Sequence, residues 1–237
     1  MLPAPEMKDL RLYKFGERMN IHGLAHRGNL YLSPASKYAD RSYGAGVFDP
    51  HELVLEQRLP QEIEFEAFDG KTGESKGTLK PLSVGPMVAT LQSNYYVFCM
   101  TYRYSTDLYA EFNADTCLVI TDPDRFMNQA CKAIMAALPG WAVDAGTARY
   151  RSPSAFYSMY PTNQDVYYGK RAEYSHQREI RIVCTPPSPI RTLDPKIVCI
   201  GDLYGYTFIT GIESPDNMIE SEYSNAFGSP FRCTEAK

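Results

Sequence analysis

The chain has 237 residues, 44% of them hydrophobic, and a formal net charge of −4. That length and apolar content suffice for one large domain with its own core, and the mild acidity gives no bulk attraction to nucleic acid or to an anionic membrane. No stretch approaches the roughly 18 consecutive apolar residues of a membrane span. The opening "MLPAPEMKDLRLYKFG" lacks the basic-then-apolar order of a secretory leader, so a cytoplasmic protein with no membrane partner is expected.

Taken in chain order, "RLYKF" predicts a short first strand. "RMNIHGLAHRG" places Ile21, Leu24 and Ala25 at helical spacing and ends on Gly28, a natural helix stop. "NLYLS" predicts a second strand closed by Ser33-Pro34, and the polar, glycine-bearing "PASKYADRSYGAGVFDP" suits an ordered loop or short helix lining a cleft. From His51 to about Val84 apolar and charged residues alternate around "DGKTGESKG", the pattern of a hairpin or meander with one wet face, read as an insertion. "MVATLQSNYYVFCMTY" reads as a strand pair or one long strand, and "TCLVIT" as a central strand. Asp122-Pro123 opens the clearest helix, in which Phe126, Ala130, Ile134 and Leu138 recur every fourth residue before Pro139-Gly140 ends it. "WAVDAGTARYR" resumes strand character, Ser152 to Lys170 is tyrosine-rich and irregular, and "KIVCIGDLYGYTFIT" reads as a last strand.

Strands outnumber helices, and long crossover helices are missing. The expected fold class is therefore α+β: a single domain over 1–212 with a mixed, mainly antiparallel twisted sheet, few helices and a hairpin insertion near 51–84. A loosely held tail is expected over 213–237. Six cysteines lie scattered without a CxxC pair, several in apolar runs such as "YYVFCM". They read as small buried hydrophobes, not zinc ligands or a disulfide frame.

Phosphate-loop, dinucleotide-loop, zinc-protease and nucleophile-elbow motifs are all absent from the sequence. The four histidines are scattered; His22 and His26 share a helix face but lack a third ligand nearby, so no metal site is expected. Two regions hold the candidate chemistry. Strand ends near the N-terminus gather Lys14, Tyr31, Ser36, Tyr38 and Arg41. In "YSHQREIRIVC", strand alternation puts Arg178, Ile180 and Ile182 on one face and Glu179, Arg181 and Val183 on the other. A paired Glu179–Arg181 carboxylate and guanidinium is thus expected on one side of a late strand. Each of these residues also has an ordinary reading: a solvated lysine, core tyrosines, a cross-strand ion pair.

The order "LYKFG", helix, "LYLSPASKY" and a late "QREIRIV" strand resembles the catalytic domain of the ADP-ribosyltransferases. That resemblance implies an NAD-binding cleft. Glu179 would hold the ribose and stabilise oxocarbenium-like charge, Tyr31 would stack on nicotinamide, and Lys14 would stand where the family has histidine. Tyr13, Ser36, Tyr38, Arg41 and Arg181 are the implied further NAD contacts, the arginines for pyrophosphate. Lys14 is a departure from the family, since lysine can serve there only as a donor. A second resemblance, over Arg11 to Val183, is to an uncharacterised group of bacterial domains in cytoplasmic and defence-associated proteins. It rests on "RLYKF", "LYLSPASKYAD", "DPHE", "YVFCMT" and "KRAEYSHQREIR". The implied partners are a macromolecular acceptor, protein or nucleic acid, and an antitoxin or defence component.

Two other classes stand beside this one. The first is a non-enzymatic sensor or binding module using its aromatic loops. The second is a nucleic-acid enzyme, which would need Asp49, Glu52 and Glu179 to converge. Arg149, Lys170 and Arg171 among the central tyrosines could stack and steer single strands, against which stands the acidic total charge.

Overall fold

Leu12–Gly16 forms β1 and Arg18–Arg27 forms α1, as the alternating and helical spacings predict. The helix ends at Gly28, whose φ of 64° is left-handed and whose N–H reaches the carbonyls of Gly23 and Leu24. These and the elements below belong to a computed structural model that describes residues 10–39, 49, 52–58, 64–80, 86–152, 158, 161–211 and 231–232. Asn29–Pro34 is β2, followed by a 3-10 turn over Ala35–Ala39. Next come β3 (Val54–Arg58), β4 (Phe65–Phe68), β5 (Ser75–Leu79), β6 (Pro86–Thr90) and β7 (Tyr96–Thr101). The short helix α2 (Asp107–Glu111) leads into β8 (Thr116–Ile120).

Helix α3 spans Pro123–Ala137, with Asp122 as its N-cap accepting from the Arg125 N–H at 3.0 Å and Pro123 in the first turn. Then follow β9 (Ala142–Thr147), β10 (Arg149–Arg151), α4 (Asn163–Tyr167), β11 (Gly169–Arg171) and a 3-10 turn over Ala172–Gln177. The chain continues through β12 (Glu179–Thr185), β13 (Lys196–Cys199) and β14 (Thr207–Gly211), with β15 at Phe231–Arg232.

Among the described residues nine strands make one sheet in the order β14-β8-β1-β7-β12-β9-β15, with β13-β2 branching from β7. Its pairs are all antiparallel. Among the described residues the mixed character expected from the sequence is confined to a small parallel ribbon, β10-β11. The α+β class with a mainly antiparallel sheet and few helices holds. Among the described residues no helix is long and apolar enough to cross a membrane.

One face of the sheet builds the main core. Leu12, Phe98, Met100, Leu118, Ile180 and Ile182 meet Ile21 and Leu24 of α1 and Phe126, Ala130 and Ile134 of α3. Each fully buried side chain of this size contributes roughly 1.5–3 kcal/mol. The opposite face carries two smaller clusters. Tyr13, Phe15, Cys117 and Val119 pack on Leu108 and Tyr109 of α2, while Val97 and Val183 pack on Ala35, Tyr95 and Tyr168. The polar residues of the site lie between these two.

Several sequence expectations are corrected. The hairpin expected near 51–84 is present as β4-β5, but it extends into a second ribbon in which β3 pairs with β6, beyond residue 84. "MVATLQSNYYVFCMTY" is neither one strand nor a pair, because β6 and β7 belong to different sheets. "KIVCIGDLYGYTFIT" divides into β13 and β14, separated by a turn with Gly205 at φ 87°. Arg178 does not share a strand face with Ile180: at φ 44° it caps the preceding 3-10 turn, and the strand begins at Glu179. Cys99, Cys117, Cys184 and Cys199 are free, but Cys131 is disulfide-bonded, so a reading of all six cysteines as thiols fails there. Within the C-terminal tail, β15 pairs with β9.

Candidate active-site cleft at the fork of the sheet

The site begins with a gap in a ladder. Strand β7 pairs along its length with β12 on one edge. On its other edge it meets β1 only at Tyr13↔Thr101, and β2 only at Ser33↔Val97 and Pro34↔Tyr96. Between them, Phe98, Cys99 and Met100 have no strand partner on that edge among the described residues, so the sheet forks there. A strand edge left open inside a protein needs other partners for its polar groups. The Lys14 ammonium supplies one, donating to the Cys99 carbonyl at 2.8 Å with its charge 4.9 Å from the centre of the Phe98 ring.

Two cavities open at the fork. One, of about 220 Å³, has Lys14, Tyr38, Glu52, Lys170, Glu179 and Arg181 in its walls. The other, of about 230 Å³, lies between β1, α1 and β2, with Tyr31, Ser33 and Phe98 in its walls. Lys14, Phe15, Gly16 and Tyr38 belong to both, so the two cavities adjoin at these residues.

The floor of the first cavity is an ionic network on β12, a central strand. Glu179 is opposite Thr101 and Arg181 opposite Cys99, which sets both side chains on the face away from the main core. Arg181 donates from Nε to Glu179 Oε1. Its two terminal nitrogens reach both oxygens of Glu52, at 3.1 and 3.2 Å, a bidentate pair with additional support from the Tyr167 carbonyl at 2.9 Å. Tyr95 donates its hydroxyl to Glu52 at 2.5 Å. The second Glu179 oxygen accepts from Lys170 at 2.5 Å, and the Glu179 N–H donates to the Tyr150 hydroxyl at 2.7 Å. Glu52, Glu179 and Arg181 are all almost inaccessible to solvent. Such charges persist in a protein interior only when paired and hydrogen-bonded.

Burial pushes the Glu179 carboxyl up, but Arg181 and then Lys170 outweigh it and hold the group well below the ordinary carboxylate range. Glu52 goes the other way: burial raises it, with the nearby Asp49 and Glu179 adding to the rise and Arg181 opposing. Arg181 is held charged against the cost of its burial by Glu179 and Glu52. Burial lowers Lys14, and it raises the Tyr38 and Tyr95 phenols far above their usual value. The Cys99 thiol is pushed up to about 12 by burial and by Glu179, so it is inert as a nucleophile.

Of the residues singled out in the sequence, Lys14, Tyr13, Tyr38, Glu179 and Arg181 line the first cavity, and Tyr31 lines the second. Tyr31 is half-exposed and accepts a hydrogen bond from Lys37 at 3.2 Å. Ser36 lies outside both cavities; its hydroxyl accepts from Asn94 at 2.7 Å and so ties the turn after β2 to the start of β7. Arg41 lies outside the described residues. Asp49, Glu52 and Glu179 do border one cavity, yet a guanidinium occupies the space between the latter two. Among the described residues no group of His, Cys, Asp and Glu is disposed to hold a metal ion.

Sequence reasoning missed the weight of Glu52, Lys170, Gln177 and Tyr150. Glu52 stands out in the sequence within "DPHE" and as one of three acids a nucleic-acid enzyme would bring together, and Lys170 within "KRAEYSHQREIR" and as a basic residue among tyrosines, with no sign that either contacts the Glu179–Arg181 pair. Comparison with protein-family models, with curated proteins and with solved structures found nothing that matches this chain.

Proposed function

We propose that the protein binds NAD in the forked cleft and cleaves its nicotinamide–ribose bond, passing ADP-ribose to a macromolecule or to water. One observation carries this reading. A buried carboxylate, Glu179, is kept ionised in the wall of one cavity, and the adjoining cavity is bordered by an aromatic ring, Tyr31. Breaking that glycosidic bond builds positive charge on the ribose, and a fixed carboxylate in a site shielded from water stabilises such charge far more than in bulk solvent. Tyr31 offers a ring face for a planar leaving group, and Lys14, which lines both cavities, offers a donor for ribose hydroxyls. In this reading the protein acts as an effector in bacterial defence or as a toxin, with a cognate antitoxin as its partner.

The pairing of both Glu179 oxygens, with Arg181 and with Lys170, favours a second reading in which the cleft holds a nucleotide without turning it over. Titrating the protein with NAD in a calorimeter, then assaying the same mixture for free nicotinamide with and without cell lysate as acceptor, separates the two. Binding with release supports the enzyme, binding without release the module, and neither result defeats both.

A further inference from the structure

Glu179 is connected to the surface by a chain of side chains that the proposed chemistry does not itself use. The Lys170 ammonium, 2.5 Å from Glu179, also donates to Gln177 Oε1 at 2.6 Å. Gln177, buried at 1% exposure, donates from Nε2 to Glu111 Oε1. The other Glu111 oxygen is 2.7 Å from Nε2 of His176, whose Nδ1 is 3.0 Å from the Glu173 carbonyl. Glu111 is the last residue of α2, which Leu108 and Tyr109 anchor in the small core under Phe15. The next residue, Phe112, lines the same cavity as Gln177 and Glu179.

The geometry points to Glu111 as a positioning residue for Glu179, acting through Gln177 and Lys170 and resting on the enzymatic reading given above. An amide side chain can present either its oxygen or its nitrogen to a neighbour. The carboxylate of Glu111 accepts only, so it fixes Gln177 with its nitrogen outward and its oxygen toward Lys170. Held by that oxygen, the ammonium stays on the second oxygen of Glu179 instead of swinging into the cleft. Arg181 fixes the other oxygen from within the same strand. The carboxylate is thus oriented from two sides, and the outer one depends on a residue 68 positions away in the chain on a different element.

Contacts acting in series predict a specific pattern in a double-mutant cycle. The variants Glu111→Ala, Gln177→Leu and the double variant are compared with wild type by two readouts. The first is the titration midpoint of the Glu179 carboxyl in carbon-13 spectra of glutamate-labelled protein, assigned by the signal missing from Glu179→Gln. The second is kcat and KM for nicotinamide release from NAD. With the ammonium less firmly held, each single variant raises the midpoint and lowers kcat by about tenfold, the order expected for a lost hydrogen bond to a charged group. KM stays within about twofold of wild type. The double variant is no worse than the worse single one, and Glu111→Gln, which keeps an acceptor oxygen, lies close to wild type.

Unchanged midpoints in both single variants, or losses that add in the double variant, overturn the assignment. If wild type releases no nicotinamide, the proposed function fails, and the titration readout alone decides the role of Glu111. Glu111 is partly exposed, so its truncation leaves no core cavity. Thermal midpoints of all variants, compared with wild type, separate misfolding from mispositioning.

Discussion

The Lys14 ammonium on β1 is bonded to the Cys99 carbonyl on β7, 85 residues away, at the point where the sheet forks. In an unbroken ladder that carbonyl would meet a backbone N–H; here a side chain takes its place and the strands stay apart. The fork holds the cleft open, and Lys14 stabilises the fork. Lys14→Met keeps the unbranched apolar stem, one atom shorter, and leaves the Cys99 carbonyl without its donor. A loss of about 1–3 kcal/mol in urea unfolding is expected, with a smaller loss for Lys14→Arg. Equal stability of Lys14→Met and wild type would mean that the fork does not depend on this contact.

Arg181 is the cation between two buried carboxylates, Glu179 and Glu52. Replacing it with Met removes the cation paired with Glu52 and leaves Glu179 with Lys170 alone, and the expected cost is about 3–5 kcal/mol. Glu52→Gln leaves an oxygen for Tyr95 and for one guanidinium nitrogen, and should cost about 1–3 kcal/mol. Arg181→Lys falls nearer to Arg181→Met than to wild type, because an ammonium cannot make the bidentate contact with Glu52. Chemical denaturation of the three variants gives the order directly.

The two carboxyls predict opposite responses to acid. Glu179 is held below its ordinary value of 4.5 in the folded protein. Below pH 4.5 the unfolded chain therefore takes up that proton first, and stability present above 4.5 is lost as pH falls toward the folded value. Glu52 is held above 4.5, so its contribution is present below 4.5 and is lost as pH rises through the folded value. The stability gap between wild type and Glu179→Gln should be constant near neutrality and narrow in acid. The gap between wild type and Glu52→Gln should change in the opposite sense. Thermal midpoints measured across the acid range read both slopes, and parallel curves for the two variants would contradict the assignment.

Gly28 supports the other arm of the fork. A Cβ there would be 2.1 Å from the Gly201 carbonyl oxygen, and its φ of +64° is strained for any side chain. Gly28→Ala should cost more than about 1 kcal/mol and loosen the β2-β13 pair. The amides of Leu30 and Val198, which face each other in that pair, should then exchange with solvent faster than those of β12. Uniform exchange across the sheet would count against a local effect.

What the sequence made legible was local. The cap at Asp122, the stop at Gly28 and the alternation along Glu179–Val183 depend on neighbouring residues, and each appears in the structure as read. The shared face of Glu179 and Arg181 followed from alternation alone. The fork did not, because it depends on where β1 and β2 leave β7, a matter of pairing between segments more than sixty residues apart. Glu52 arrives from 129 residues before Arg181, and no spacing rule connects the two. The Arg178 error has a local cause: the sequence shows an alternating run but not the left-handed residue that begins it.

In the proposed reaction Glu179 is the carboxylate that stabilises charge on the ribose as NAD is cleaved. Nicotinamide release from NAD, measured for wild type and for Glu179→Gln at matched NAD occupancy, tests it most directly. Wild type is expected to release nicotinamide, and the variant to do so about 10²–10³-fold more slowly with NAD still bound. Release at equal rates in the two proteins, or none from wild type with NAD bound, would contradict that role.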